Sequence, residues 1–164
     1  MAGSHPLDEL KSQELLALYG GILDELVRRE VIRSRNAPAG DLAERLVQDA
    51  YDGELAPPSE KSWDVRTPEG LLLQVKCRVV GDSSRPGQYS FFRSWDFDTC
   101  VFVTFTREYQ LVKATEVPAA SIQAIASFSD HVKGSRVTIS KISALPPGSI
   151  DVTDRIAEAY ERLP

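Results

Sequence analysis

The sequence predicts a single α/β domain of the α+β type, in which helices flank a mixed central β-sheet. The chain has 164 residues, which is enough for one domain with a proper core and short for two. Segments with helical spacing of apolar residues lie towards both ends of the chain, and strand-like segments occupy its middle. The segment TCVFVTFTRE, which begins at Thr99, is almost continuously apolar and is typical of a central strand covered on both faces.

Two helices are predicted in the first third of the chain. LDELKSQELLALYGGILDELVRREVI, which begins at Leu7, repeats apolar residues at three- and four-residue spacing. Gly20 and Gly21 lie in its middle, and since each glycine costs about 1 kcal/mol relative to alanine, one bent helix and two helices both remain open. The second helix, DLAERLVQDAYDG, is expected to be capped by Asp41 and to stop at Gly53.

Most of the remaining chain has strand character. Strands are predicted at residues 62–66 and 71–80, joined by the turn TPEG, and YQLVKATEV is predicted to form a hairpin with the apolar strand across REYQ. A helix is expected to begin at Pro118, and SRVTISKI is predicted to be a further short strand. Asp151 or Thr153 is expected to cap a final helix.

Composition and charge exclude several classes of function. The net charge is −5, so no overall positive field attracts nucleic acid or an anionic membrane, and such a contact needs a local basic patch. No apolar run reaches about 18 residues and no charged-then-apolar leader is present, so neither a membrane span nor a signal peptide is predicted, and a cytoplasmic location is expected. Two histidines supply a catalytic triad or a zinc site poorly. Cys77 and Cys100 are predicted to be buried free thiols.

The strand LLLQVKCRVV, which begins at Leu71, carries an unusual polar face. Its apolar residues alternate with Gln74, Lys76 and Arg78, so one face belongs to a core and the other does not. Asp64 precedes the strand across a short turn, and a hairpin of this length brings Asp64 close to Gln74 and Lys76. The plainer interpretation is that the polar residues form the solvated face of an edge strand.

Glu44 on the second predicted helix is a further candidate. It follows Asp41 by three residues, so the pair matches a capping box, which alone would explain the glutamate. Glu44 also lies on the flank of the apolar stripe, beside Val47 and Tyr51, from which its carboxylate can lean over the sheet. The two roles are compatible.

An acid on a helix, an acid at a strand end and QVK on the next strand together resemble the PD-(D/E)xK nuclease superfamily, which has the restriction-endonuclease-like fold. The motif residues would be Glu44, Asp64, Gln74 and Lys76. The segments RSRNAPAGDLAERLV, KSWDV, LQVKCR and WDFDTCVFV are similar to a family of small bacterial proteins of unknown function within this superfamily. The resemblance spans residues 30–140.

Two positions depart from the superfamily pattern. The proline that usually precedes the strand acid is absent, because Ser62 and Trp63 stand there. The usual second strand acid is replaced by Gln74, which is a neutral ligand, although some branches of the superfamily use glutamine at this position.

The resemblance implies a metal-dependent DNA endonuclease that hydrolyses phosphodiester bonds in bacterial defence or DNA processing. Mg²⁺ or Mn²⁺ would be held by Asp64, Gln74, Glu44 and the Val75 carbonyl, since hard cations prefer oxygen ligands. Lys76 would stabilise the charge that develops on the phosphoryl oxygens. In this interpretation residues 1–36 are a helical segment that packs on the core or on a partner, and residues 37–164 form the nuclease-like domain.

Substrate contacts would come from local positive charge, and DNA is the expected partner. A homodimer formed through the N-terminal helix and a protein partner in a defence system are further expectations. Taken singly, each arginine is more simply explained as an ordinary solvated side chain. The arginines expected to contact DNA are Arg33, Arg35, Arg78, Arg85 and Arg93.

Two other classes of function remain open on the sequence. The first is a catalytically inactive nuclease-fold module that binds DNA or a protein, which the neutral Gln74 and the acidic net charge favour. The second is a structural or regulatory domain in which the polar strand face is solvated and Glu44 only caps its helix.

Overall fold

Helices flank a six-stranded mixed β-sheet, so the predicted fold class is confirmed. The computed structural model describes residues 6–10, 12–33, 38–80, 87–106 and 109–164. The helices are α1 (Ser12–Arg28), α2 (Pro38–Ala50), α3 (Ala119–Ile125), α4 (Ile139–Ser143) and α5 (Thr153–Glu161), and Leu7–Glu9 forms a 3₁₀ turn. The strands are β1 (Glu54–Leu55), β2 (Val65–Arg66), β3 (Leu72–Val79), β4 (Thr99–Phe105), β5 (Leu111–Pro118), β6 (Ser127–Ser129), β7 (Gly134–Arg136) and β8 (Ile150–Asp151).

The main sheet has the strand order β1-β2-β3-β4-β5-β8, and β6 and β7 form a separate hairpin. β1, β2 and β3 pair antiparallel, β3 and β4 pair parallel, and β4 and β5 form the predicted antiparallel hairpin. Parallel neighbours need a crossover connection, and residues 87–98 of the crossover between β3 and β4 lie over one face of the sheet. This crossover brings Tyr89 and Phe92 onto that face.

The apolar strand β4 lies at the centre of the core, as the sequence predicts. From Cys100 to Phe105, no residue is more than 5% exposed. Val101 and Val103 pack with residues of α1, α2 and α5, and Phe102 packs on the opposite face with residues of the crossover, α3 and α4. Residues of the N-terminal segment such as Leu23 belong to the same core as α2.

The expected start of the second helix is wrong. α2 begins at Pro38, whose fixed φ suits the first position of a helix, so Asp41 lies inside the first turn and is not the N-cap. The Asp41 carboxylate instead accepts a hydrogen bond from the Arg33 backbone N–H at 2.8 Å. The capping-box explanation of Glu44 is therefore wrong as well. The C-terminal end of α2 agrees better with the predicted stop at Gly53. There the Gly53 N–H donates to the Gln48 carbonyl at 2.9 Å, just after the helix ends.

The strand predicted over SRVTISKI is wrong in its second half. Thr138 accepts a hydrogen bond from the Lys141 N–H at 3.3 Å, and this cap starts α4. Gly20 and Gly21 both lie within α1, which is one helix. α3 begins one residue after Pro118, and α5 begins at Thr153, whose N–H donates to Asp151.

Both cysteines are free, Cys100 fully buried and Cys77 partly so. Over the described part of the chain, no helix has the length and apolarity that crossing a membrane requires.

Candidate functional site

The candidate site lies where β2 ends beside β3. The last pair between these strands is Val65 with Leu73, yet the Asp64 N–H also donates to the Leu73 carbonyl, at 2.8 Å. Asp64, the residue just outside β2, is therefore still bonded to β3. Its side chain reaches the edge of β3 that β2 leaves unpaired.

Asp64 is fixed by two short hydrogen bonds to β3. Its Oδ2 accepts from Gln74 Nε2 at 2.6 Å and from the Val75 backbone N–H at 2.7 Å. The bond from the Val75 N–H takes the place of a backbone hydrogen bond to β2, because β2 does not extend as far as Val75. Because the N–H and C=O of a strand residue point to the same side, the Val75 carbonyl also faces this edge. The structure thus brings Asp64, Gln74 and the Val75 main chain together.

Glu44 faces this group from α2. Glu44 and Asp64 line a common cavity of about 340 Å³ together with Arg33, Asp41 and residues of the loop at 56–60. Partial burial, followed by the charges of Asp64 and Asp41, raises the pKa of Glu44 to about 7. Four carboxyl groups therefore line the cavity, and the ionised forms of Asp64 and Asp41 disfavour the ionised form of Glu44.

The pKa of Asp64 is also raised, because burial disfavours its charged form. The Val75 N–H, the Lys76 charge and the Gln74 amide oppose this effect without cancelling it. Bound cations reverse such effects by stabilising the ionised forms of nearby carboxyl groups. A cation bound beside Glu44 and Asp64 would therefore lower the pKa of both carboxyl groups.

The site offers oxygen atoms of the kind that a hard divalent cation binds. Glu44, Asp64, the Gln74 amide and the Val75 carbonyl offer oxygen atoms, which Mg²⁺ prefers. The amide of Gln74 presents its nitrogen to Asp64, so it would have to turn before its oxygen could serve as a ligand. Within the described ranges, no group of three or more His, Cys, Asp or Glu side chains is arranged to hold a metal. Gln74 and Val75 would therefore have to complete the ligand set.

Lys76 lies on the same strand face as Gln74 but is bound to the crossover. Its Nζ donates to the Phe91 carbonyl at 3.1 Å and lies 5.0 Å from the centre of the Phe92 ring. Its charge still lowers the pKa of both Glu44 and Asp64. Lys76 is thus close to the acids without contacting them.

The predicted DNA-contacting arginines fall in different places. Arg33 lines the cavity of Glu44 and Asp64, and its Nη1 is 3.4 Å from the Ala56 carbonyl. Arg78 and Arg93 are exposed and do not line that cavity. Arg35 and Arg85 lie outside the described residues.

Sequence reasoning did not single out Arg45 and Gln48. They line a second cavity of about 500 Å³, which shares Arg33 and Asp41 with the first. Arg45 Nε and Gln48 Oε1 are buried and have no hydrogen-bond partner among the residues that the structure describes. Their three-residue spacing places both on one flank of α2, but such a pattern is common on polar helix flanks and does not identify a site.

The chain matches no protein-family model and no curated protein. Its function is therefore inferred from the site itself.

We expect Glu44→Gln to stabilise the metal-free protein more at pH 8 than at pH 4.5. The folded pKa of about 7 lies above the ordinary value of 4.5, so wild type loses stability as the pH rises from 4.5 to 7. The glutamine variant escapes this loss, which amounts to at most about 3 kcal/mol. Urea unfolding with a chelator present measures the difference. Glu158→Gln, an exposed change on α5, should show no such trend. An advantage of Glu44→Gln that is equal at both pH values would contradict the prediction.

Proposed function

We propose that this chain is a metal-dependent nuclease of the PD-(D/E)xK type that hydrolyses phosphodiester bonds in DNA with Mg²⁺ or Mn²⁺. One observation carries the proposal: Asp64 accepts hydrogen bonds from Gln74 and the Val75 N–H at the edge of the sheet, and Glu44 lines a cavity with Asp64. A role in bacterial defence or DNA processing, a cytoplasmic location and a homodimer formed through α1 belong to the same proposal.

Each side chain has a distinct task in this proposal. Glu44, Asp64, Gln74 and Val75 would hold the cation, which when bound supplies charge stabilisation and an activated water. Asp64 is held in place by its two bonds to β3, so little ordering is required when the cation binds. Because Gln74 is neutral, the proposed ligands carry two negative charges when Glu44 and Asp64 are ionised, which balances one divalent ion.

Arg33 and Lys76 supply the positive charge that a phosphodiester requires. Arg33 lies at the cavity and lowers the pKa of Glu44, which places its charge within reach of the acids. The Phe91 carbonyl and the Phe92 ring hold the Lys76 ammonium at one place. A charge held in advance stabilises developing negative charge without further reorganisation.

A catalytically inactive nuclease-fold module is the second candidate. It is favoured by the hydrogen bond from Gln74 to Asp64 and by the bond from Lys76 to Phe91, because both polar side chains are satisfied without a ligand. In that case the same fold binds DNA or a protein without cutting.

A divalent-ion titration tests the metal centre. Mg²⁺ or Mn²⁺ should stabilise wild type by about 2.7 kcal/mol when its concentration is a hundred times the dissociation constant. Asp64→Asn removes a central ligand charge, so most of that gain should disappear. Thermal unfolding with and without the ion measures both, with isothermal calorimetry as a check. Asp52→Asn, an exposed change just beyond α2, is the matched control and should respond to the ion as wild type does.

Gln74→Glu provides the reverse test at the same site. It restores an acid at the position where one is usual, so it should tighten the binding of the ion. If Mg²⁺ and Mn²⁺ leave the melting temperatures of wild type and Gln74→Glu unchanged, the metal site does not exist and the inactive module is the better description.

A further inference from the structure

The hairpin of β6 and β7 lies outside the main sheet and presents an exposed aromatic ring. Its register pairs Ser127 with Arg136 and Phe128 with Ser135. Phe128 is 65% exposed, although it lies within a hydrogen-bonded strand. A single exposed apolar side chain is common on protein surfaces, so Phe128 needs a second observation before it indicates a site.

The hairpin is connected to the candidate site through the crossover. The Phe92 N–H donates to the Ser135 carbonyl at 2.7 Å, and the Ser135 N–H donates to the Phe92 carbonyl at 2.9 Å. The neighbouring carbonyl, that of Phe91, accepts the hydrogen bond from Lys76. Residues 91–93, β7 and β6 therefore lie side by side in that order, and Lys76 contacts the first of these segments.

Positive charge is concentrated around this hairpin. Residues 117–150 contain one acid, Asp130, against Lys133, Arg136 and Lys141, in a chain whose net charge is −5. Arg93 also lies near the hairpin, because it directly follows Phe92, which pairs with Ser135 of β7.

Five cations of the described chain form ion pairs with acids, and the cations around the hairpin are not among them. Elsewhere, α1, β2, β5 and the end of α5 carry cations that form ion pairs with Glu25, Glu54, Asp151 and Asp49. Within the described residues, Arg93, Lys133 and Arg136 are exposed and form no ion pair. Their charge is available to an anionic partner.

We propose that the β6–β7 hairpin is a nucleic-acid-binding arm that contacts the sugar-phosphate backbone beside the candidate metal centre. Lys133, Arg136 and Arg93 contact phosphates, and Phe128 contacts a base or sugar. This inference rests on the proposed nuclease function, since the adjoining site is where a phosphodiester would be bound. Arginine and lysine supply the phosphate contacts of nucleic-acid-binding proteins, and aromatic rings stack on bases.

Duplex DNA binding in a chelator tests this arm without cleavage. Fluorescence anisotropy with a labelled duplex gives the affinity at several salt concentrations. Lys133→Ala/Arg136→Ala should weaken binding roughly tenfold at low salt, as the loss of two exposed ion pairs predicts. It should also reduce the slope of log affinity against log salt by about 1.8, because two phosphate contacts are lost. Phe128→Ser should lower the affinity without changing that slope.

The control removes equal charge from a distant surface. Arg28→Ala/Arg162→Ala changes the net charge by the same amount on α1 and just beyond α5, and its affinity should stay within about twofold of wild type. Folding of each variant is checked by its thermal melt. If both double variants bind DNA equally, or if wild type binds no duplex at low salt, the hairpin is not a nucleic-acid-binding arm.

Two further measurements distinguish this proposal from a surface that binds any acidic polymer and from the proposal of a metal centre. Polyglutamate at the same charge concentration should displace the DNA far less well than unlabelled duplex does; equal displacement would identify a surface for acidic polymers and overturn the proposal. The hairpin variant should keep the stabilisation by Mg²⁺ of wild type. A failure of the hairpin proposal therefore leaves the metal centre to be judged by its own titration.

Discussion

Val103→Asp is expected to prevent the protein from folding. Val103 is fully buried in the central strand β4 and packs with residues of α1, α2 and α5. A carboxylate there has no partner, so it would either be buried as an unpaired charge or be forced to bind a proton. Either state costs several kcal/mol, against a total stability of about 5–15 kcal/mol for a typical domain. Circular dichroism and thermal melting measure the outcome.

Val112→Asp is the matched control for this prediction. Val112 lies on the neighbouring strand β5 and is 49% exposed, so its substitution changes the stability by roughly 0.5 kcal/mol or less. The control shares the substitution and the strand environment and differs in burial. A soluble Val103→Asp protein that melts cooperatively near wild type would show that the core has been placed wrongly.

The sequence predicts best those elements in which burial determines the residue types at many consecutive positions. β4 is covered on both faces, so its composition alone identifies it. β3 has one face in each apolar cluster, and the alternation of its apolar residues with Gln74, Lys76 and Arg78 remains readable in the sequence. β1 and β8 have two residues each, too few for a period, and neither was predicted.

Local capping was harder to predict than burial. Asp41 has the right chemistry for an N-cap, but Pro38 starts the helix one turn earlier and Asp41 bonds to Arg33 instead. In SRVTISKI, β-branched residues favour a strand, yet the hydroxyl of Thr138 caps a helix. In both places one side-chain hydrogen bond decides the outcome, and propensity does not reveal which group a side chain will reach.

The contacts of the candidate site also differ in how well the sequence predicts them. The nearness of Asp64 to Gln74 follows from a short hairpin, which is a local feature that a sequence reveals. The bond between Lys76 and Phe91 depends on the path of the crossover, which has no periodicity to predict it. Arg45 Nε and Gln48 Oε1 stand out only because they are buried, and the burial of a single polar atom cannot be predicted from the sequence. The division of the chain at residue 36 stays a prediction.

Lys76→Ala is expected to lower the rate of DNA cleavage by roughly 10²-fold or more, as the loss of one electrostatic stabiliser does. The ammonium is held by the Phe91 carbonyl and the Phe92 ring, close enough to the acids to lower their pKa values. It makes no contact with Asp64, so its removal should leave the stabilisation by Mg²⁺ largely unchanged. Single-turnover cleavage of plasmid DNA and a divalent-ion melt measure the two effects separately.

Lys113→Ala is a suitable control for this loss, because it removes the same charge from β5, where Lys113 pairs with Asp151. Its cleavage rate should remain within about threefold of wild type, since a single exposed ion pair contributes about 1 kcal/mol or less. If Lys76→Ala cleaves as fast as this control, Lys76 does not act on the phosphodiester. If wild type binds Mg²⁺ yet cleaves no DNA, Gln74→Glu decides between a weakened enzyme and an inactive module, because activity gained by restoring the acid would show that the remaining groups are correctly placed.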